Sequence, residues 1–187
     1  MISTTRLKIR PFAARDAADL HAYLADPATY RFEPGDPVTL AEAEEMAHER
    51  TGGTEFWAVE LMAEGRMIGH LYFAQVEPTE LRTWTLGYIM NPAFQRRGYA
   101  TEAAVALLRW AFAARPIHRV VAMCNPDNPA SWRLLERVGF RREGLLRRNV
   151  FFRRGADGAE AWTDTLVYAM LADEAVERLG VEPAAVA

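Results

Sequence analysis

The sequence predicts a mixed α/β (α+β) fold, a mostly antiparallel sheet of six to seven strands flanked by about four helices, and three observations carry that expectation. Residues 55–62, 66–76 and 82–90 are rich in aromatic and branched side chains and are separated by Glu64-Gly65 and Glu77-Pro78-Thr79, which suit tight antiparallel turns. The strand Trp84–Met90 runs through a glycine turn into an amphipathic helix, Thr101–Ala114, and on to a short apolar strand at His118–Asn125, the order of a parallel crossover. Residues 140–153 and 162–171 then read as a long hairpin around Gly155-Ala156-Asp157-Gly158.

The elements follow in order. Leu7 and Ile9 alternate with Arg6, Lys8 and Arg10 up to Pro11, a first strand with one covered face. Ala17, Leu20 and Leu24 form a stripe at helical spacing behind Asp16, an acid suited to a first turn, and Asp26-Pro27 ends that helix. Thr39-Leu40-Ala41-Glu42 has the form of a capping box, in which each side chain satisfies a free amide at a helix start, and Gly52-Gly53 closes the second helix. In the third helix Val105, Leu108 and Phe112 share a face that Glu102 and Arg109 avoid. Asn128 is a good N-cap with Pro129 at the first helical position, and Gly139 supplies a left-handed residue after Val138. Beyond Asp173 the pattern weakens into a short helix and a Pro/Ala tail that is expected to fray.

A chain of 187 residues, half of them hydrophobic, is long enough for one domain with a sizeable core, drawn here over residues 1–173 with a short C-terminal helix and tail at 174–187. A formal net charge of -3 gives no electrostatic reason to expect a nucleic-acid or anionic-membrane partner. Lys8 is the only lysine, so the other 21 basic residues are arginine, a compositional habit rather than a binding device. A single cysteine, Cys124, excludes an internal disulfide. Together with the absence of a leader-like start and of an apolar run near the ~20 residues of a membrane span, it leads to the expectation of a soluble, cytoplasmic protein.

The turn Gln95-Arg96-Arg97-Gly98-Tyr99-Ala100 joins a strand to a helix N-terminus, where several backbone amides lack partners and attract phosphate. Gly98 lets backbone approach a ligand with no Cβ in the way, Ala100 keeps the helix start open, and Arg96 and Arg97 add charge at the rim. By itself such a turn is also an ordinary glycine-capped connection. It gains meaning from a second element about thirty residues on, a parallel strand ending at Asn125 and the helix opened by Asn128-Pro129-Ala130-Ser131 and closed by Val138-Gly139-Phe140.

On these residues, together with Arg6–Phe12, Leu86–Pro92 and Thr163–Tyr168, the chain resembles the GNAT superfamily of acetyl-CoA-dependent N-acetyltransferases over roughly residues 5–172, and within it the RimJ/RimL-like branch that includes ribosomal-protein N-terminal acetyltransferases. The resemblance implies a sheet splayed between the fourth and fifth strands, with the exposed backbone of Tyr88, Ile89 and Met90 pairing with the pantetheine arm as an added strand would. It places the pyrophosphate on the amides from Arg96 through Arg97, Gly98, Tyr99 and Ala100 to Thr101, with Gln95 bracing the turn. Asn128 and Ser131 are implied to lie beside the pantetheine and the thioester. No metal is implied, and acetyl-CoA is the cosubstrate.

The implied chemistry is direct attack of a neutral primary amine on the thioester, with the Met90 backbone amide as oxyanion donor and no covalent acyl-enzyme. Cys124 then reads as a small apolar strand residue rather than a nucleophile. Many family members carry a tyrosine four residues after the position of Ser131, as general acid. Here that position is Leu135, which leaves Ser131, a water, a tyrosine from another segment, or no acid at all. Candidate bases are Glu33, Glu60, His70 and Asp164, each of which also has an ordinary structural reading.

Trp57, Tyr72, Phe73 and Trp84 could wall an acceptor pocket or simply fill the core, and the arginines at 141, 142, 147, 148, 153 and 154 could meet an acidic peptide or face water. The acceptor is a small-molecule amine or a protein N-terminus, and the chain acts as a monomer or a homodimer. Two other readings stay open: an acetyl-CoA sensor without turnover, and an aminoglycoside-type acetyltransferase using Glu33, Asp36, Glu42, Glu44 and Glu45.

Overall fold

The computed structural model describes residues 1–155 and 157–184, so Ala156 of the expected hairpin turn and residues 185–187 of the tail lie outside the described residues. Its elements are β1 (Ile2–Ser3), β2 (Leu7–Pro11), α1 (Ala17–Leu24), α2 (Leu40–Arg50), β3 (Phe56–Leu61), β4 (Arg66–Gln75), β5 (Thr83–Met90), α3 (Tyr99–Ala114), β6 (Arg119–Cys124), α4 (Pro129–Val138), β7 (Arg141–Arg154), β8 (Glu160–Leu171) and α5 (Ala172–Leu179). The strands form one sheet in the order β1-β2-β3-β4-β5-β6-β8-β7. All neighbours run antiparallel except β5 and β6. The eighth strand is β1, two residues that pair Ile2 with Ile9 and are too short to leave a periodic signal in sequence.

Helices cover both faces. Leu7, Ile9, Val59, Leu71 and Phe73 share a core cluster with the α3 residues Ala103, Ala104, Leu107, Leu108, Ala111 and Phe112. Ala58, which alternates with Val59, and Met67, which lies beyond the β3–β4 register shift, join a second cluster with Leu20, Tyr23 and Leu24 of α1 and Ala43 and Ala47 of α2. Val105 was expected in the buried stripe of α3 but is only half-buried; alanines take its place, because small residues let the helix sit close to the sheet. The capping box at Thr39 and Glu42 forms, as do the Asn128 cap and the left-handed Gly139. Against expectation, residues 174–184 do not fray: Ala175, Leu179 and Val181 are buried, and the Ala184 amide donates to the Phe112 carbonyl at 2.9 Å. Among the described residues, no helix is long and apolar enough to cross a membrane.

Asp16 does more than complement a helix end. Arg10 donates to both of its carboxylate oxygens at 2.7 Å and, through Nε, to Glu60 Oε2 at 2.7 Å, with all three residues buried. The two carboxylates raise the pKa of Arg10, which therefore keeps its charge inside the fold. Ion pairs of this kind offset a large desolvation cost only while every partner is present.

His70 is buried beside Phe12, Tyr23 and Phe56, with Tyr23 Oη 2.6 Å from Nδ1. Burial, helped by the nearby Arg50 charge, lowers its pKa from 6.5 to about 3, so the folded protein holds it neutral. Between those values the unfolded chain takes up a proton that the folded chain refuses, and stability falls as pH drops. From pH 7 to pH 5 this one group should cost about 2 kcal/mol. Urea unfolding at the two pH values should show that loss in the wild type, and His70→Gln should lack this share of it.

Candidate functional site

The site starts where sheet pairing stops. β5 and β6 pair only through Thr83–Arg119, Trp84–Val120 and Thr85–Val121, after which the two parallel strands diverge. On its other side β5 stays paired with β4 down to Met90, and the bonds from Val76 N to Thr83 O and from Asn91 N to Ile68 O fix the phase of that ladder. Because ladder direction alternates along a strand, the backbone groups of Ile89 point at β4, whereas those of Tyr88 and Met90 point into the splay. Ile89, expected to offer its backbone to a ligand, therefore does not. Gln95 Nε2 donates to the Met90 carbonyl at 3.1 Å, which leaves the Met90 amide as the open group there. Gly69 makes this geometry possible, since a Cβ at that position would lie 2.5 Å from the Ile89 carbonyl oxygen.

The chain then turns sharply. Asn91 Oδ1 accepts from Ala93 N at 3.0 Å and caps a single 3-10 turn at Pro92–Phe94. Arg96 and Gly98 follow at φ 61° and 80°, both in the left-handed region, and bring the chain into α3. Among the described residues, no acceptor satisfies the backbone amides from Arg96 through Arg97, Gly98, Tyr99 and Ala100 to Thr101. Arg6, given no role from sequence, holds this turn: Nη1 donates to the Arg97 carbonyl at 3.0 Å, the guanidinium pairs with Glu102 at 2.6 Å, and it lies 4.5 Å over the Tyr99 ring. The result is a ring of positive amide dipoles at a helix start, suited to an anion.

A cleft of about 240 Å³ opens from the splay, walled by β5, β6, the start of α4, the β7–β8 hairpin and the segment Phe32-Glu33. Asn128 Oδ1 accepts from Ser131 N at 3.3 Å, which presents both side chains at the cleft. Ser131 Oγ lies 2.8 Å from Tyr88 Oη. Leu135 is fully buried and has no access to the cleft. Cys124 is only half-buried and lines the cleft, rather than being sealed in the core, and burial pushes its thiol pKa up, away from the reactive thiolate.

The four candidate bases separate cleanly. Glu60 is locked in the ion cluster with Arg10, and His70 sits in the second core, so neither reaches the cleft. Glu33 and Asp164 both line it. Desolvation raises the Glu33 carboxyl from 4.5 to about 7. Asp164 Oδ1 accepts from the Arg148 amide at 2.8 Å, where Arg148 is left-handed at φ 43° inside a break in β7 register; this bulge turns Asn149 and Val150 into the cleft.

The aromatic residues left open between an acceptor pocket and the core fall away from the cleft, Trp57 and Phe73 in the core. Trp57 packs edge-on against Trp110, Phe73 stacks on Trp84, and Tyr72 lies on Phe56, because strand alternation turns them to the helix-covered or lateral faces. Phe32, Tyr88 and Phe152 line the cleft instead. Of the hairpin arginines, Arg141 pairs with Glu174 and Arg154 with Glu160, while Arg153 donates to the Tyr30 carbonyl and ties the hairpin to the segment that carries Glu33. Of the acidic group, only Glu33 reaches the cleft; Glu42 is spent on the α2 cap, and Glu44 and Glu45 are exposed. Phe32, Asn149, Phe152, Thr163 and Thr165 line the cleft without a local motif that would have singled them out.

Residues 6–141 match the family described as the acetyltransferase (GNAT) domain. The uncharacterized N-acetyltransferase YnaD of Bacillus subtilis is 33% identical over 174 residues, which cover 92% of this chain and 98% of that protein. The crystal structure of a GNAT-family acetyltransferase from Bacillus anthracis superposes with a TM-score of 0.82 at 31% identity, covering 92% of this chain and 98% of that one. Mycobacterium smegmatis RimJ in complex with CoA-disulfide superposes with a TM-score of 0.72 at 30% identity, covering 93% and 88%. A splayed parallel pair with a cleft at the splay and an open amide turn at the start of α3, joined to a family match over most of the chain, identify it as a member of the GNAT acetyltransferase family.

Proposed function

We propose that this chain transfers the acetyl group of acetyl-CoA by direct attack to a primary amine, and that the acceptor amine is an α-amine, at a protein N-terminus or on a small molecule. The observation that carries the reading is the cleft itself, which brings Tyr88, Ser131 and Glu33 to one volume at the splay. The catalytic domain spans residues 1–173, with the C-terminal helix and tail closing over α3.

The residues fit the cosubstrate. The unpartnered amides from Arg96 to Thr101 suit its pyrophosphate, and Gly98 leaves room there, because the nearest atom to an added Cβ is Arg6 Nη2 at 3.5 Å. The open backbone of Tyr88 and Met90 suits an extended, amide-bearing arm, with Asn128 at its side. Bound acetyl-CoA supplies an electrophilic thioester carbonyl. The Met90 amide stabilises the charge that develops on its oxygen, a contribution of about 3 kcal/mol for one well-placed donor.

Glu33 removes the proton from the attacking nitrogen. A carboxyl at about 7 is matched to an α-amine near ~8 and poorly matched to an alkyl amine near ~10.4, which favours the α-amine. The resemblance to the RimJ/RimL-like branch points the same way. A polycationic antibiotic would need several carboxylates at the mouth, where Glu33 and Asp164 are the two present.

The sign of the pH effect follows from the raised value. Below about 7 Glu33 holds a proton and cannot act, so kcat should rise with pH through about 7 and then level. Glu33→Gln should lower kcat by about 10²–10⁴-fold and abolish that limb, as read by free-thiol release against N-terminal peptides. An unchanged profile in the variant would transfer the role to Asp164. At the other end of the site, Gly98→Val should weaken CoA binding about tenfold or more by calorimetry, since it adds a branched side chain at φ 80° in the amide ring. Full CoA affinity in that variant would remove the turn from the site.

A further inference from the structure

The site contains a pair of hydroxyls that no step above uses together. Tyr88 Oη lies 2.8 Å from Ser131 Oγ and 3.2 Å from the Ser131 carbonyl oxygen, so both polar contacts of the phenol fall on one residue. The two side chains come from different elements, β5 and α4, and both line the cleft at the splay. At Leu135, where a tyrosine would be the family's acid, the side chain is apolar and buried.

We propose that Tyr88 is a positioning residue that aims the Ser131 hydroxyl at the departing sulfur. The phenol O–H donates to the Ser131 carbonyl oxygen at 3.2 Å and lies 2.8 Å from Ser131 Oγ; a phenol is a stronger hydrogen-bond donor than an alkanol, so its one proton is shared between those two oxygens. The serine's own proton then has to point away from the ring, into the cleft. With its N–H held by the Asn128 cap and its oxygen held by Tyr88, Ser131 keeps one rotamer, and its O–H is preorganised for charge that appears only when the C–S bond breaks.

Neither hydroxyl gives up its proton. Burial pushes the Tyr88 pKa well above its ordinary value, and a phenolate there would be costlier than the thiolate it relieved. The nitrogen bonds to the carbonyl carbon, the C–S electron pair leaves on sulfur, and Ser131 donates a hydrogen bond to it. The proton lost by the nitrogen passes through Glu33 and solvent to the sulfur, which leaves as the free thiol. Charges and atoms balance with Tyr88 and Ser131 unchanged.

This inference rests on the acetyl-transfer reading, and a double-mutant cycle separates the two. Thiol release from acetyl-CoA with an N-terminal peptide, and CoA affinity by calorimetry, are measured for wild type, Tyr88→Phe, Ser131→Ala, Ser131→Thr and the Tyr88→Phe combinations. Tyr88→Phe should lower kcat about tenfold, with KM for acetyl-CoA and CoA affinity within about twofold. The same change in Ser131→Ala should cost nothing further, whereas in Ser131→Thr, which keeps a hydroxyl, it should again cost severalfold.

A full tenfold loss on adding Tyr88→Phe to Ser131→Ala overturns the proposal, as does an unchanged kcat in Tyr88→Phe alone. A loss confined to KM or CoA affinity also overturns it, assigning the phenol to packing. Tight CoA binding by a wild type that acetylates no amine overturns the acetyl-transfer reading and this inference with it.

Discussion

Every functional feature of this molecule depends on one interruption: the parallel pairing of β5 and β6 lasts three residue pairs and then ends. A strand pulled away from its neighbour exposes backbone groups that must find water or a ligand. The interruption survives because β5 is gripped on its far side. Gly69 lets β4 come so close that Ile89 and Met90 cannot swing across to close the gap. Both helices that follow the diverging strands start beyond their ends, α3 with its first amides open and α4 with its first turn capped by Asn128.

The two cores let the sheet tolerate this. Residues on one face pack on α3, those on the other on α1 and α2, and both clusters draw on β3 and β4. The buried Arg10 cluster adds a constraint of a different kind. It ties β2 to β3 and to the residue just before α1 through buried, directional charge pairs, so it specifies where α1 begins as much as it stabilises the contact.

What the sequence shows directly is whatever depends on neighbours along the chain. The Thr39–Glu42 box, the Asn128 cap with Pro129, Gly139 and the strand–turn–helix at Gln95–Ala100 are set within a few residues, and each forms where the pattern places it. What it hides depends on partners far away. Nothing around Glu33 foretells a carboxyl at about 7; the shift comes from burial under a hairpin more than a hundred residues later. Asp16 looks like a helix-start acid until Arg10 and Glu60 fold around it. Ile89 looks equivalent to Tyr88 and Met90 because sequence does not carry the phase of the ladder. Trp57 and Phe73 mislead for the opposite reason, since large aromatic residues suit a core and a pocket equally well.

The wall opposite the amide turn is built differently from the rest. β7 is exposed along almost its whole length, breaks register with β8 in three places, and is tied to the segment carrying Glu33 by the Arg153 hydrogen bond to the Tyr30 carbonyl. Neither core cluster contains a residue of β7. Substitutions and insertions in that strand therefore carry little folding cost, while those in β4, β5 or the α3 turn disturb the donor side at once. Divergence within such a lineage is channelled: the choice of acceptor can drift through one loosely attached ribbon while the machinery that delivers the acetyl group stays fixed.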